Sequence, residues 1–254
     1  MGEVKIGEFV VWNLKIGNYN FPLHGEILVY SWIVMALIVG LAWLATRGMS
    51  IDKPTRAQTV FEAIIEFLRN ALLDTAGPVM LPVFTIPATL FLFILFSNLI
   101  GMIPIPGLEV FLPHAHNYHF IKSPSEDISF TMAMGLVVFI SMFYYGIKLG
   151  GVAYIKSFFK PFFLFFPIHL IDFAIKPVTL GFRLFGNIFS GAIFLLVLYN
   201  LLPPLAPVLA LALGVFVGCI QSYLFFMLST AYIASAIEEG AEHGRGDSQT
   251  SSAR

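Results

Sequence analysis

The stretch Lys176–Leu198, "KPVTLGFRLFGNIFSGAIFLLVL", sets one guanidinium, Arg183, inside an otherwise apolar run. A fixed positive charge at the centre of a lipid-soluble helix costs about 2.5–3.5 kcal/mol on insertion scales. A chain that keeps it there gains something in return. The composition makes the lipid setting general: the 254 residues are 58% hydrophobic and 11% charged, against about 25% charged in soluble domains. Too little charge remains to solvate the surface, so the chain reads as a polytopic membrane protein. With a net charge of −1, no basic surface points to nucleic acid. The single cysteine, Cys219, excludes an internal disulfide framework and most cysteine metal sites. The first 25 residues mix charge, Asn, Gly and Pro without the basic-then-apolar order of a signal peptide. The first apolar segment is therefore expected to stay in the mature protein.

Steps of three and four around Arg183 meet His169, Asp172, Lys176, Thr179, Asn187 and Ser190. At 3.6 residues per turn these fall within roughly a quarter of the helix circumference. Polar atoms aligned on one face of a membrane helix need a partner or water on that face. A structural stripe that joins helices through hydrogen bonds accounts for Thr179, Asn187 and Ser190. It accounts poorly for Arg183, which has no carboxylate at i±3 or i±4, and Asp172 lies about 16 Å away along the axis. The missing carboxylate is expected to belong to another subunit, or to arrive and leave. On the next helix Gly214, Gly218 and Gln221 share a face with Ser222 alongside, which suits close helix approach and an amide bridge.

Outward from this stripe the expected fold is an all-α polytopic membrane protein. It has about five membrane helices plus an amphipathic surface helix. Residues 27–45, 83–103 and 128–149 each match the roughly 20 residues needed to cross a bilayer. Ser125 or Asp127 is the expected cap of the third. The patterns from about Pro167 to Leu202 and Leu205 to Glu239 overshoot a bilayer. They are expected to form an overlong, strongly tilted hairpin, turned at Pro203, Pro204 and Pro207. Between the first two spans Val60, Ile64, Phe67, Leu68 and Leu72 recur at helical spacing, which suits a helix on the membrane surface. A short solvated helix is the alternative.

Arg47, Lys53, Arg56 and Arg69 follow span one, and Lys148, Lys156 and Lys160 follow span three, whereas the loop of residues 104–127 offers only Lys122. The positive-inside rule then puts the N-terminus outside and the C-terminus in the cytoplasm. The expected organisation is an extracytoplasmic segment 1–26, one helical domain 27–239 and a disordered cytoplasmic tail 240–254.

At "KPVTLGFRLFGNIFSG", "GCIQSYLFFMLSTAYIASAIEE", "LFSNLIGMIP" and "EDISFTMAM" the sequence closely resembles subunit a of F-type ATP synthases. The motifs run from roughly Val60 to Glu239. The resemblance implies a non-catalytic membrane subunit of the proton-transporting complex, with no cofactor of its own, coupling ion flow to ring rotation and ATP synthesis. It supplies the missing carboxylate, an Asp or Glu on each c subunit of a rotating ring, and adds the b subunits of the peripheral stalk as partners. By the same resemblance Arg183 is the stator arginine between two proton half-channels, with Asn187 and Gln221 as polar neighbours. A cation about 4 Å from a carboxylate is worth on the order of 4 kcal/mol at an effective dielectric of 20. That is about three pKa units, enough to keep a passing ring carboxylate ionised. Facing lipid, the same group must be protonated.

The sequence departs from the family pattern where relay residues usually stand. Ala192 lies nine residues after the arginine, Gly214 seven before the glutamine, and His169 fourteen before the arginine. The outer path is then expected to use water, Asn187, Gln221, Ser190, Asn98 and Asp127. His169 with Asp172 forms either an inner relay or a structural pair. His114, His116 and His119 in "PHAHNYH" read as a solvated loop or as a proton buffer at the outer mouth, with no fourth metal ligand in view. Two other functions compete. One is a secondary transporter whose buried arginine binds an anionic substrate, although no repeated halves are visible; the other is a non-conducting scaffold. No phosphate loop or nucleophile constellation points to an independent enzyme. The general pattern favours a bacterial plasma membrane.

Overall fold

The computed structural model describes residues 11–16, 19–49, 54–102, 124–157, 166–201 and 206–252. Ahead of the helices, strands β1 (Val11–Ile16) and β2 (Tyr19–His24) pair antiparallel, with Ile16 opposite Tyr19. The hairpin falls within the segment expected to precede the membrane domain.

Helix α1 (Gly25–Thr46) is apolar on every side and leaves Trp32, Val39 and Trp43 exposed, as suits a helix wetted by lipid. At its end the Arg47 guanidinium lies 4.6 Å from the centroid of the Trp43 ring, a cation–π pair of the kind that marks a membrane–water boundary. Helix α2 (Arg56–Ala76) starts at Thr55, whose hydroxyl accepts the Gln58 N–H at 3.2 Å. Leu68 and Leu72 are buried beneath it, while Val60 and Phe67 of the same apolar series are exposed. A 3-10 turn, Pro78–Val83, leads into α3 (Thr85–Met102).

After a second 3-10 turn, Pro124–Glu126, helix α4 (Ile128–Ser157) begins. Asp127 is its cap, for its Oδ1 accepts the Ser129 N–H at 2.6 Å. Gly151 breaks α4 with φ 67° and ψ −161°, a backbone conformation open chiefly to glycine. The break returns the Tyr154 ring onto Gly146, where any side chain would meet it. Helix α5 (Phe166–Leu201) has 36 residues and α6 (Ala206–Ser252) has 47. At 1.5 Å per residue both exceed the roughly 30 Å of hydrocarbon. Pro207 falls in the first turn of α6, where its missing N–H leaves nothing unpaired. Pro203 and Pro204 lie outside the described residues. The polar stretch expected to be disordered is helical here through Ser252.

By length and composition, three stretches among the described residues can cross a membrane: Ile27–Thr46, Ile128–Leu149 and Leu211–Gly240. Thr85–Gly101 is apolar but shorter.

Helix α6 is the centre of the bundle and touches α2, α3, α4 and α5. One buried cluster joins Leu68, Leu72, Phe91, Met142, Tyr154, Phe173, Phe226 and Ile233; a second joins Leu90, Ile94, Val138, Leu180, Leu184 and Phe225. Helices α4 and α5 run antiparallel, as successive pairs show: Gly135 faces Pro177, and Gly181 faces Thr131 and Met132. These glycines are needed for close approach, because the Pro177 carbonyl occupies the space a Gly135 side chain would fill.

Candidate functional site

The stripe on α5 divides by exposure. Asp172, Thr179, Arg183 and Ser190 are exposed, and Lys176 and Asn187 are partly so. The adjacent face, packed on α4 and α6, buries Phe173, Leu180 and Leu184. Two of the polar groups turn back on their own helix: the Thr179 hydroxyl donates to the Ile175 carbonyl at 2.8 Å, and the Ser190 hydroxyl to the Gly186 carbonyl. Lys176 reaches α6, its Nζ lying 5.8 Å from the centroid of the Tyr232 ring. His169 lies on α5 one turn before Asp172, and its side chain is outside the described residues, as are His114, His116 and His119.

Arg183 is exposed on the stripe it shares with Lys176. Phe182 next to it is 52% accessible and Phe189 further along α5 is 48% accessible, so the guanidinium stands on a largely apolar accessible surface. Among the described residues no carboxylate pairs with it, and no group of three or more His, Cys, Asp or Glu could hold a metal ion.

Gln221 behaves differently. It is 5% exposed, and its Nε2 has no hydrogen-bond partner among the described residues. Asn98 on α3 is 1% exposed, with neither amide atom partnered. The pairs Phe91–Phe226 and Lys176–Tyr232 set the register of α3 and α5 against α6. Carried along the helices, that register puts Asn98, Asn187 and Gln221 at about one level. At the same end of the bundle the Ser97 and Ser125 hydroxyls share a hydrogen bond at 3.4 Å, and Asp127 caps α4. Asp127 is the buried carboxylate among the described residues.

The structure therefore gathers Asn98, Gln221, Ser97, Ser125 and Asp127 inside the bundle and sets Arg183, Ser190 and Asp172 on its outside. Helical spacing alone gave the stripe but not this division, because it does not tell which face of α5 meets α4 and α6. Ser97 and Thr230, both fully buried, were not singled out in the sequence. Their signal was weak: small hydroxyl residues in membrane helices usually bond their own backbone. Ser222 and Ser229 do so, donating to Gly218 and Phe226.

The family model described as ATP synthase A chain matches residues 28–234. The chain belongs to that family. The match spans α1 to α5 and most of α6, and so includes Arg183, Asn98 and Gln221. Membership makes the chain a membrane subunit of the ATP synthase, engaged in proton transport and ATP synthesis. The apolar helices agree with that setting.

Proposed function

We propose that this chain is the stator subunit of the rotary complex and that Arg183 faces the carboxylates of a c-subunit ring. The observation that carries this reading is an exposed arginine on an apolar outer face, with no carboxylate partner among the described residues. A cation on a lipid-accessible surface is costly unless a partner covers it. A ring carboxylate that arrives ionised and leaves protonated provides that cover in turn.

In this reading two offset aqueous half-channels reach the ring on either side of Arg183. One is lined by Asn98, Asp127, Gln221, Asn187 and Ser190, and the other runs past Asp172 and His169. Arginine suits the divide because it stays charged when desolvated, whereas a lysine pKa falls on burial. The b subunits of the peripheral stalk hold the chain still against the turning ring. Helices α5 and α6 are a tilted hairpin following the ring surface, and α1, α3 and α4 complete five membrane helices. The N-terminus lies outside a bacterial plasma membrane and the C-terminus in the cytoplasm.

Arg183→Ala, introduced into the assembled complex in membrane vesicles, should abolish ATP-driven proton pumping while the complex still assembles. Unimpaired pumping overturns the stator reading.

A further inference from the structure

Three buried side chains carry polar atoms without partners among the described residues: Asn98, Gln221 and Thr230. They fall into two groups along the bundle. Asn98 and Gln221 share one level. Thr230 lies nine residues further along α6, about 13 Å at 1.5 Å per residue. Between the groups sit Ile94, Leu184 and Phe226, each 0% exposed, with Leu180 and Phe225 at 1%.

The two layers differ in what they can hold. Asn98 offers two donors and a carbonyl acceptor, and Gln221 adds two donors. Ser97 and Ser125 lie beside them and share a hydrogen bond. Water is the ligand that satisfies such a set, since a buried water makes two to four hydrogen bonds to otherwise unpaired groups. In the layer below, the buried hydroxyls of Thr131 and Ser222 donate to their own backbone, at Ile128 and Gly218. No unpartnered polar side-chain atom is offered there among the described residues, and an apolar constriction of this kind excludes water.

The dry layer is level with Arg183. Leu184 follows Arg183 in the chain and faces inward, while the register set by Lys176 and Tyr232 puts Phe225 opposite both. We propose that Ile94, Leu180, Leu184 and Phe225 form an insulating plug. It closes a water-filled chamber at Asn98 and Gln221 from the half of the bundle that carries Thr230. The inference rests on the half-channel reading and extends it inward. Arg183 parts the two aqueous paths on the ring face, and the plug parts them inside the stator. Without it, water could join the chamber to the far side through the bundle, and protons would cross without turning the ring.

The test uses the assembled complex in vesicles, in a Cys219→Ser background. Ser97→Cys should react with a small charged thiol reagent, whereas Ile94→Cys, one turn away in the plug, should not. Equal reactivity of the two overturns the proposal, and this comparison stands even where larger changes prevent folding. Passive proton leak is the second readout. Phe225→Ala and Leu184→Ser should raise it several-fold with ATP hydrolysis retained, while Phe225→Leu keeps it near wild type. Assembled variants with unchanged leak also overturn the plug. An Arg183→Ala arm separates the two ideas: normal pumping there defeats the stator reading, whereas abolished pumping there together with unchanged leak in Phe225→Ala and Leu184→Ser defeats the plug alone.

Discussion

Gly135→Ala tests whether the approach of α4 to α5 holds Arg183 in place. A Cβ on Gly135 would overlap the Pro177 carbonyl oxygen and lie 3.2 Å from its carbonyl carbon. Both are backbone atoms on a helix and cannot swing aside. Comfortable contact needs roughly 3.5–4 Å, so α5 must back away from α4 by about 1 Å. Overpacking of this kind costs about 1–3 kcal/mol. The same shift carries Arg183, less than two turns along α5, and misplacement by 1 Å can cost about 100-fold in a positioned reaction. Gly181→Ala is the matched control. Its nearest obstacle is the flexible Met132 Sδ at 2.8 Å, with the Thr131 carbonyl oxygen at 3.1 Å. It should cost less than Gly135→Ala, near the low end of the about 1–3 kcal/mol range for overpacking. The assays are thermal unfolding of the assembled complex and ATP-driven pumping in inverted vesicles. Gly135→Ala should lower both well below Gly181→Ala. Wild-type pumping and melting in Gly135→Ala would refute the claim that this contact positions Arg183.

Three further outcomes follow from single sites. Gly186→Ala meets nothing within 4 Å in this chain, so the complex should melt as wild type, and a loss of pumping without a loss of stability would mark Gly186 as part of the ring-facing surface. Asp127→Asn keeps a good helix cap while Asp127→Ala loses about 1 kcal/mol, so only Ala should lower the melting point; a fall in proton flux shared by both variants would show that the carboxylate conducts. Burial, and behind it the charge of Glu239, push the Tyr154 phenol above the usual tyrosine value of about 10. A raised folded pKa adds stability that is fully present below about pH 10 and is lost as pH rises towards the folded value. Tyr154→Phe should therefore flatten the alkaline fall in melting temperature, and an unchanged slope would contradict that origin.

Much of the membrane helix pattern was legible because it depends on local chemistry. Apolar length marked α1, α3 and α4, residue type narrowed the cap of α4 to Ser125 or Asp127, and the excess length of α5 and α6 followed from unbroken periodicity. The polar stripe was legible for the same reason. What stayed hidden depends on contacts between distant segments. That Arg183 stays exposed follows from how α5 packs on α4 and α6, through Gly135 on Pro177 and Lys176 on Tyr232, and no period within α5 encodes it. The level shared by Asn98 and Gln221 needs the register of Phe91 on Phe226. The break at Gly151 goes with the return of Tyr154 onto Gly146, a contact that residue types alone do not show. The helical run of α6 beyond Gly240 was missed because that stretch is polar and small-residued.

Cross-linking between the outer face of α5 and the ring tests the central claim most directly. With Cys219→Ser as background, single cysteines are placed at Thr179, Phe182, Leu180 and Leu184, each paired with a cysteine one turn from the ring carboxylate. Thr179→Cys and Phe182→Cys, on the exposed face beside Arg183, should form disulfides with the ring on oxidation. Leu180→Cys and Leu184→Cys, buried against α4 and α6, should not. Cross-links from the buried pair, or none from the exposed pair in an assembled complex, would contradict an Arg183 face that meets the ring.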